Sequence, residues 1–348
     1  MCNFVPVNSR FYKYVKLFKR LRSPRLKYLT MLVAHLSGMR YAGVYLDPVM
    51  ACNIRCRMCY FSSPADAPKP QAPLSAERLA LVSRAFFGRA LRLQIGCGAE
   101  PTLYRHLDDI IAEGSRRGVK SIEITSNGQL LRLDDLRRYA SKGLTGITLS
   151  LHGTTAATYE YLMQGARFER LRQLIADLRQ LQIYYPDFQV RINYTFNKLN
   201  VDEMRGIPEL FSGVRLSALQ MRPVQKLGDT AYNEFDLEDV IARYDTLVVP
   251  LIDYCRRNGV QCLVPTVDNL RRVDKTADTV SSFIEKVAYV YVSSENCYHD
   301  DFDLTLDTFD SYHRRNGLWR RLLGGVLKGR IDADTRVRRT KKMNYDIQ

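Results

Sequence analysis

Three thiols open the chemistry of this chain. Cys52, Cys56 and Cys59 lie in the run Cys-Asn-Ile-Arg-Cys-Arg-Met-Cys, at spacings of four and three residues, with Tyr60 and Phe61 following. One loop can bring three such side chains together with little further folding. Thiolates in that number can hold three irons of one cubane iron–sulfur cluster, whose usual complement is four cysteines. The remaining iron then has no protein ligand and stays open to a small molecule, as in metalloenzymes that keep a coordination position free. A structural zinc site would need a fourth Cys or His at a matching distance. None is near: His35 sits upstream in an apolar segment, and the next cysteine is Cys97. Spacing alone leaves a cluster, a zinc knot and unrelated buried cysteines all open.

The surrounding segments show how the loop could be held. Residues 44–50 read as a strand that delivers it. Further strands are expected at 91–96, 121–125, 146–151, 188–195 and 216–222, with a last short one at 260–264. Helices alternate with them at 75–89, with Ser75 as N-cap, and at 105–117 and 134–142, closed by Gly118 and Gly143. Others are expected from about 155, broken at Gly165 and resuming over 168–181, over 201–211 with a break at Pro208, and over 237–257. Six strands alternating with helices imply parallel βαβ units and a partial barrel, with a site built from the loops after the strand C-termini. Those loops are the cysteine loop, 96–101, Ser126-Asn127-Gly128 and His152-Gly153. Their convergence at one mouth favours the cluster over the blander readings. In the turn Gly96-Cys97-Gly98-Ala99-Glu100-Pro101, glycine permits close backbone approach to a ligand, and exposed backbone can bond an ammonium group.

Cys52-x3-Cys56-x2-Cys59 resembles the signature loop of the radical S-adenosylmethionine (radical SAM) enzymes, and the apolar lead-in 41–50 is similar to theirs. The resemblance covers about residues 44–235 and implies an α/β chain built on a partial (β/α)6 barrel of the radical SAM type, a TIM-barrel variant. It divides the chain into a basic amphipathic helical extension (1–40), the barrel core (41–235) and a short α/β C-terminal extension (236–348) ending in a basic tail. It implies a [4Fe–4S] cluster whose open iron chelates the amino and carboxylate groups of S-adenosylmethionine. One electron from the cluster then cleaves the sulfonium to give a 5′-deoxyadenosyl radical that abstracts hydrogen from a substrate. Gly96, Gly98, Ala99, Glu100 and Pro101 resemble the family's Gly-Gly-Glu-Pro turn, which binds the methionyl amino group; Ala99 stands where a second glycine is usual. Ser126, Asn127 and Ser150 resemble residues that reach the cofactor's ribose or carboxylate, and Met58 takes the place of an aromatic residue against adenine. Arg191 and Asn193 on the fifth strand are expected to face the barrel, with Arg191 a cofactor contact, and His152 to bond cofactor or substrate or to be structural.

At 348 residues, 46% hydrophobic and 26% charged, the chain suits one folded domain with additions. No apolar run reaches membrane-span length and no signal-peptide core is evident, so a cytoplasmic protein is expected, with its eight cysteines as thiols or ligands. The net charge of +15 is uneven: residues 1–40 hold nine Lys or Arg and no acid. That asymmetry points to an anionic substrate or surface, including weak peripheral contact with a membrane. Residues 10–22 and 25–36 read as helices, the first basic with an aromatic face; a cap over the barrel is favoured over a membrane anchor. A helix is expected at 318–326 and a mobile basic tail at 336–348. Cys255 and Cys262 read as core packing, and a second cluster involving them, Cys97 or Cys297 stays open. The expected activity is that of a one-cluster radical SAM enzyme, with a flavodoxin or ferredoxin as electron donor and a sugar, nucleotide-sugar, lipid-linked compound or peptide as substrate. The alternatives are an RNA-modifying member of the same family and a non-catalytic iron–sulfur or zinc protein.

Overall fold

The computed structural model describes residues 18, 20–63, 67–69, 71–224, 237–271, 279–331 and 346–347. Its strands are β1 (Ala42–Asp47), β2 (Arg55–Cys56), β3 (Ala90–Ile95), β4 (Ser121–Ser126), β5 (Gly146–Leu151), β6 (Met163–Gln164), β7 (Gln189–Phe196), β8 (Leu216–Pro223), β9 (Gln261–Val264), β10 (Tyr289–Ser293) and β11 (Asp346–Ile347). Nine of them form one sheet in the order β10-β1-β3-β4-β5-β7-β8-β9-β11. Every pairing from β10 to β9 is parallel, so all eight strands point their C-termini at the same mouth.

The six expected barrel strands and the short seventh are present, but the sheet does not stop there. β10 adds to the free edge of β1, pairing Gly43 with Tyr289 and Asp47 with Ser293. The C-terminal part of the chain is thus woven into both edges of the barrel sheet. At the far edge Asp346 and Ile347 pair antiparallel with β9; the rest of the expected tail lies outside the described residues.

Strand alternation sorts the side chains into two shells. Val44, Leu46, Leu93, Ile95, Ile122, Ile124, Ile147 and Leu149 are fully buried against the helices. The alternate positions are polar: Arg92 and Gln94, Glu123, Thr148, Arg191 and Gln220 are buried on the barrel's inner face. A buried charge needs a partner, and Arg92 has one in Glu123 at 2.6 Å.

The helices follow the same local chemistry. Ser75 Oγ accepts from Arg78 N, capping the helix Ala76–Val82, which then widens over Ser83–Phe87. Gly118 and Gly143, at φ +75° and +113°, end the helices Leu107–Arg116 and Leu133–Ser141. The single helix expected over 237–257 is three, Glu238–Ala242, Tyr244–Leu247 and Val249–Arg257. Pro250 sits in the first turn of the last, where its missing N–H costs nothing. The helix expected over 10–22 lies almost wholly outside the described residues. Helix Pro24–Leu36 packs beside helix Leu318–Lys328.

Candidate active site

The cysteine loop is anchored at both ends and in its middle. β2, inside the loop, pairs antiparallel with β6, placing Arg55 opposite Gln164 and Cys56 opposite Met163. β6 fills the break between helices Ala156–Leu162 and Phe168–Tyr184. The break at Gly165 (φ +92°) therefore lets the chain brace the thiol loop. Arg55 Nη1 donates to Cys52 O at 2.7 Å, and Cys59 N to Cys56 O at 3.0 Å.

Cys52, Cys56 and Cys59 all line one cavity at the mouth, together with Met58, Tyr60, Cys97, Gly98, Ala99, Glu100, Ser126, Asn127, Ser150, His152 and Asn193. A larger cleft of about 700 Å³ beside helix Phe168–Tyr184 holds neither a cysteine nor a residue of these turns, so the chemistry belongs to the mouth. Among the described residues no three His, Cys, Asp or Glu side chains are grouped so as to hold a metal ion. A single zinc ion needs such a group; a cubane, with its irons at separate corners, takes thiolates spread around a cavity wall. Burial, and then the charges of Cys59 and Cys52, hold the Cys56 thiol far above its ordinary range. Burial likewise raises Cys52. Thiolates here repel one another, and a cationic cluster relieves that repulsion while releasing their protons. The donor set fits the cluster that the loop's spacing suggests.

Glu100 ties two loops into one wall. It is 2% exposed, and its carboxylate accepts from Thr102 Oγ1 at 2.6 Å, Ser126 Oγ at 2.8 Å, Asn127 N at 2.9 Å and Thr102 N at 3.2 Å. Burial raises its pKa and these donors pull it back. Asn127 carries the connection to the cysteine loop, donating from Nδ2 to Asn53 Oδ1 at 2.8 Å, with Cys52 Sγ 3.8 Å away.

Gly96 stands at φ +80°, where a Cβ would fall 2.6 Å from the Pro101 ring and 2.7 Å from Thr125 O, so only glycine closes this turn. Gly96 and Pro101 shape the turn from behind; Gly98, Ala99 and Glu100 face the cavity. Asp47, missed in the sequence, holds the turn in place. Fully buried at the end of β1, it accepts from Cys97 N at 2.6 Å, Gly98 N at 3.1 Å and the Tyr291 hydroxyl at 2.9 Å. Tyr60 donates to the Gly98 carbonyl. The signal for Asp47 was an acid closing an apolar strand just before Pro48. Tyr291 lies on the strand that sequence pattern did not reveal.

The remaining expected residues divide by depth. Met58 is buried on the cavity wall and its thioether accepts from Asn197 Nδ2 at 2.8 Å. Ser150 and Asn193 reach the cavity. Arg191 does not line it. It sits beneath, donating to Asn193 Oδ1 at 3.0 Å and to Gln220 Oε1. Two residues below Ser150 on the same face of β5, buried Thr148 has a hydroxyl with no hydrogen-bond partner. His152, whose pKa burial and then Arg222 push down to about 4, is a neutral imidazole with Nδ1 unbonded. Arg222 and Thr195, also missed, join it on the cavity wall. Cys97 is exposed there, and Cys255 and Cys262 are buried against each other and do not line the cavity.

A family model described as the radical SAM superfamily matches residues 48–207. Two curated relatives carry the name probable GTP 3′,8-cyclase. That of Sulfolobus acidocaldarius is 24% identical over 219 residues, covering 61% of this chain and 67% of the relative. That of Metallosphaera sedula is 28% identical over 179 residues, covering 51% and 54%. The chain thus spans between about half and two thirds of the length of these relatives. Among solved structures, Streptococcus suis SuiB bound to S-adenosylmethionine matches with a TM-score of 0.59 at 16% identity, over 78% of this chain and 65% of that one. SuiB bound to precursor peptide SuiA matches with a TM-score of 0.60 at 16% identity, over 82% and 67%. At that identity the likeness is one of fold.

Proposed function

We propose that the chain, whose residues 48–207 match the radical SAM superfamily model, is a one-cluster enzyme of that superfamily. In this reading Cys52, Cys56 and Cys59 hold the family's [4Fe–4S] cluster and the barrel mouth binds S-adenosylmethionine. When bound, these cofactors supply one-electron cleavage of the sulfonium and a 5′-deoxyadenosyl radical for hydrogen abstraction. The protein's part is to bind, orient and exclude water. The Gly98–Ala99 backbone offers carbonyl acceptors to the methionyl ammonium, held steady by Asp47 and Tyr60. Ser126, Asn127 and Ser150 supply hydroxyl and amide groups to carboxylate and ribose, and Met58 packs its thioether on the adenine. Arg191 acts from below by fixing Asn193. A flavodoxin or ferredoxin supplies the electron.

The substrate side is the wall made by His152, Asn193, Thr195 and Arg222. A neutral imidazole beside a guanidinium suits a polar substrate bearing an anionic group, and the relatives' name places a nucleotide in that class. The observation that carries the proposal is the single cavity lined by three thiols and by two turns that Glu100 ties together. The test is anaerobic reconstitution with iron and sulfide, then incubation with S-adenosylmethionine and dithionite. Formation of 5′-deoxyadenosine with about four irons per chain is expected. A fully loaded chain that yields none would be a non-catalytic iron–sulfur protein.

A further inference from the structure

Helix Pro24–Leu36 carries apolar side chains on two faces, and each such face belongs in an apolar surround. One face meets that need inside the protein through Tyr28, Met31 and Leu32. The other does not: Leu26, Leu29, Val33 and Leu36, spaced three, four and three apart, are 49%, 41%, 52% and 66% exposed. Helix Leu318–Lys328 packs alongside; a Cβ on Gly325 would fall 2.7 Å from the Tyr28 ring. It too turns an apolar stripe outward, with Trp319, Leu323 and Leu327 exposed at intervals of four. Single exposed apolar residues need no explanation, whereas two stripes on neighbouring helices do.

The charges carried by these two helices have one sign. Residues 1–46 and 311–331 contain no Asp or Glu. Arg20, Arg22, Arg25 and Lys27 flank the first stripe, and Arg320, Lys328 and Arg330 the second. A symmetric dimer through this face would set like charges against each other. An apolar stripe with a basic border and an exposed tryptophan is instead the pattern of helices lying in an anionic lipid interface. We propose that helices Pro24–Leu36 and Leu318–Lys328 form a docking face through which the chain rests on an anionic bilayer. The face lies on the outer flank and shares no residue with the mouth, so docking brings the enzyme to the surface without entering its chemistry.

The full chain should co-float with phosphatidylcholine vesicles containing phosphatidylglycerol, bind pure phosphatidylcholine poorly, and lose most binding in high salt. Leu29→Glu with Val33→Glu, and separately Arg22→Glu with Arg320→Glu, should each weaken flotation about tenfold or more. Melting temperature and iron content should stay near normal, since these side chains are exposed. The proposal fails if neither vesicle binds, if both bind equally, or if both variant pairs float like the parent. It fails equally if light scattering shows a dimer that Leu29→Glu with Val33→Glu dissolves, because a second copy would then cover the face. Failure here leaves the proposed radical chemistry, read from 5′-deoxyadenosine, untouched.

Discussion

At the barrel mouth, two buried carboxylates are answered atom by atom: Glu100 accepts four hydrogen bonds and Asp47 three. On the outer flank, helices Pro24–Leu36 and Leu318–Lys328 leave seven large apolar side chains in contact with water, bordered by cations with no acid nearby in sequence. The mouth's two carboxylates are fully partnered, and among the described residues only the Thr148 hydroxyl and His152 Nδ1 are left without partners there. The flank is satisfied on one side only. Buried polar groups without partners are costly, so the mouth should respond to small changes, whereas the flank should tolerate large ones until a surface is offered.

The largest break in that contrast should come from the thiols. Cys52→Ala, Cys56→Ala and Cys59→Ala together should abolish the brown chromophore and all 5′-deoxyadenosine. Retention of about four irons per chain would move the cluster to other cysteines. Next is Glu100→Ala, which strands the donors of Thr102, Ser126 and Asn127. We expect a loss of about 1–3 kcal/mol in apo-protein stability, read by urea melts, with weakened S-adenosylmethionine binding by calorimetry. Glu100→Gln should recover part of both, since it keeps an acceptor.

Asp47→Asn and Tyr291→Phe should act more gently, because each leaves some bonds to the Gly98 turn intact. Tyr291→Phe is expected to cost about 1 kcal/mol. If these are positioning residues, iron content will hold while the S-adenosylmethionine-induced change in the reduced cluster's EPR spectrum shrinks. An unchanged spectrum with lowered stability would leave them purely structural.

The smallest effect is one of pH. Burial, and then the nearby charge of His35, pushes His313 down to about 3; burial and Arg222 push His152 to about 4. Both stay neutral in the folded chain while the unfolded chain takes up protons near 6.5. Their contribution is therefore complete above about pH 6.5 and is lost as pH falls toward 4, by at most about 1.4 kcal/mol per pH unit for each group. Asp47 and Glu100, raised by burial, work in the opposite sense, so the histidine term is read as the difference between parent and His313→Gln from pH 6.5 to 5. His313→Gln should flatten the slope of apo-protein stability there; an unchanged slope would place the titration elsewhere.

Much of the mouth was legible because its chemistry is local. Cys52, Cys56 and Cys59 are a contiguous pattern, and Glu100 with Ser126 and Asn127 follows from strands placed by period and turn residues. What escaped was long-range. β10 is a five-residue strand directly behind a helix, Thr279–Ala288, that the sequence reading also passed over, and nothing in Tyr-Val-Tyr-Val-Ser says that it joins β1. Asp47 read as a strand end until Tyr291 stood beside it. Arg191 was placed on the right strand and face, but depth within the barrel is a property of the closed sheet, not of one strand. The two outward stripes were hidden differently: the helices at 25–36 and 318–326 were legible, and only burial shows which of their apolar residues face water.

The pairing of β10 with β1 also has a consequence in time. Asp47 meets Tyr291 across 244 residues of chain. Contacts of such separation form late, because the intervening chain must be ordered before they repay loop closure. On the ribosome, the thiol loop emerges long before the strand that completes its supporting edge, and until then β1 presents an unpaired edge. Iron delivered early would meet three thiols but a half-built wall. Cluster loading should therefore be most productive after release of the full chain, and truncations that remove β10 should bind iron loosely even though every cysteine of the loop is present.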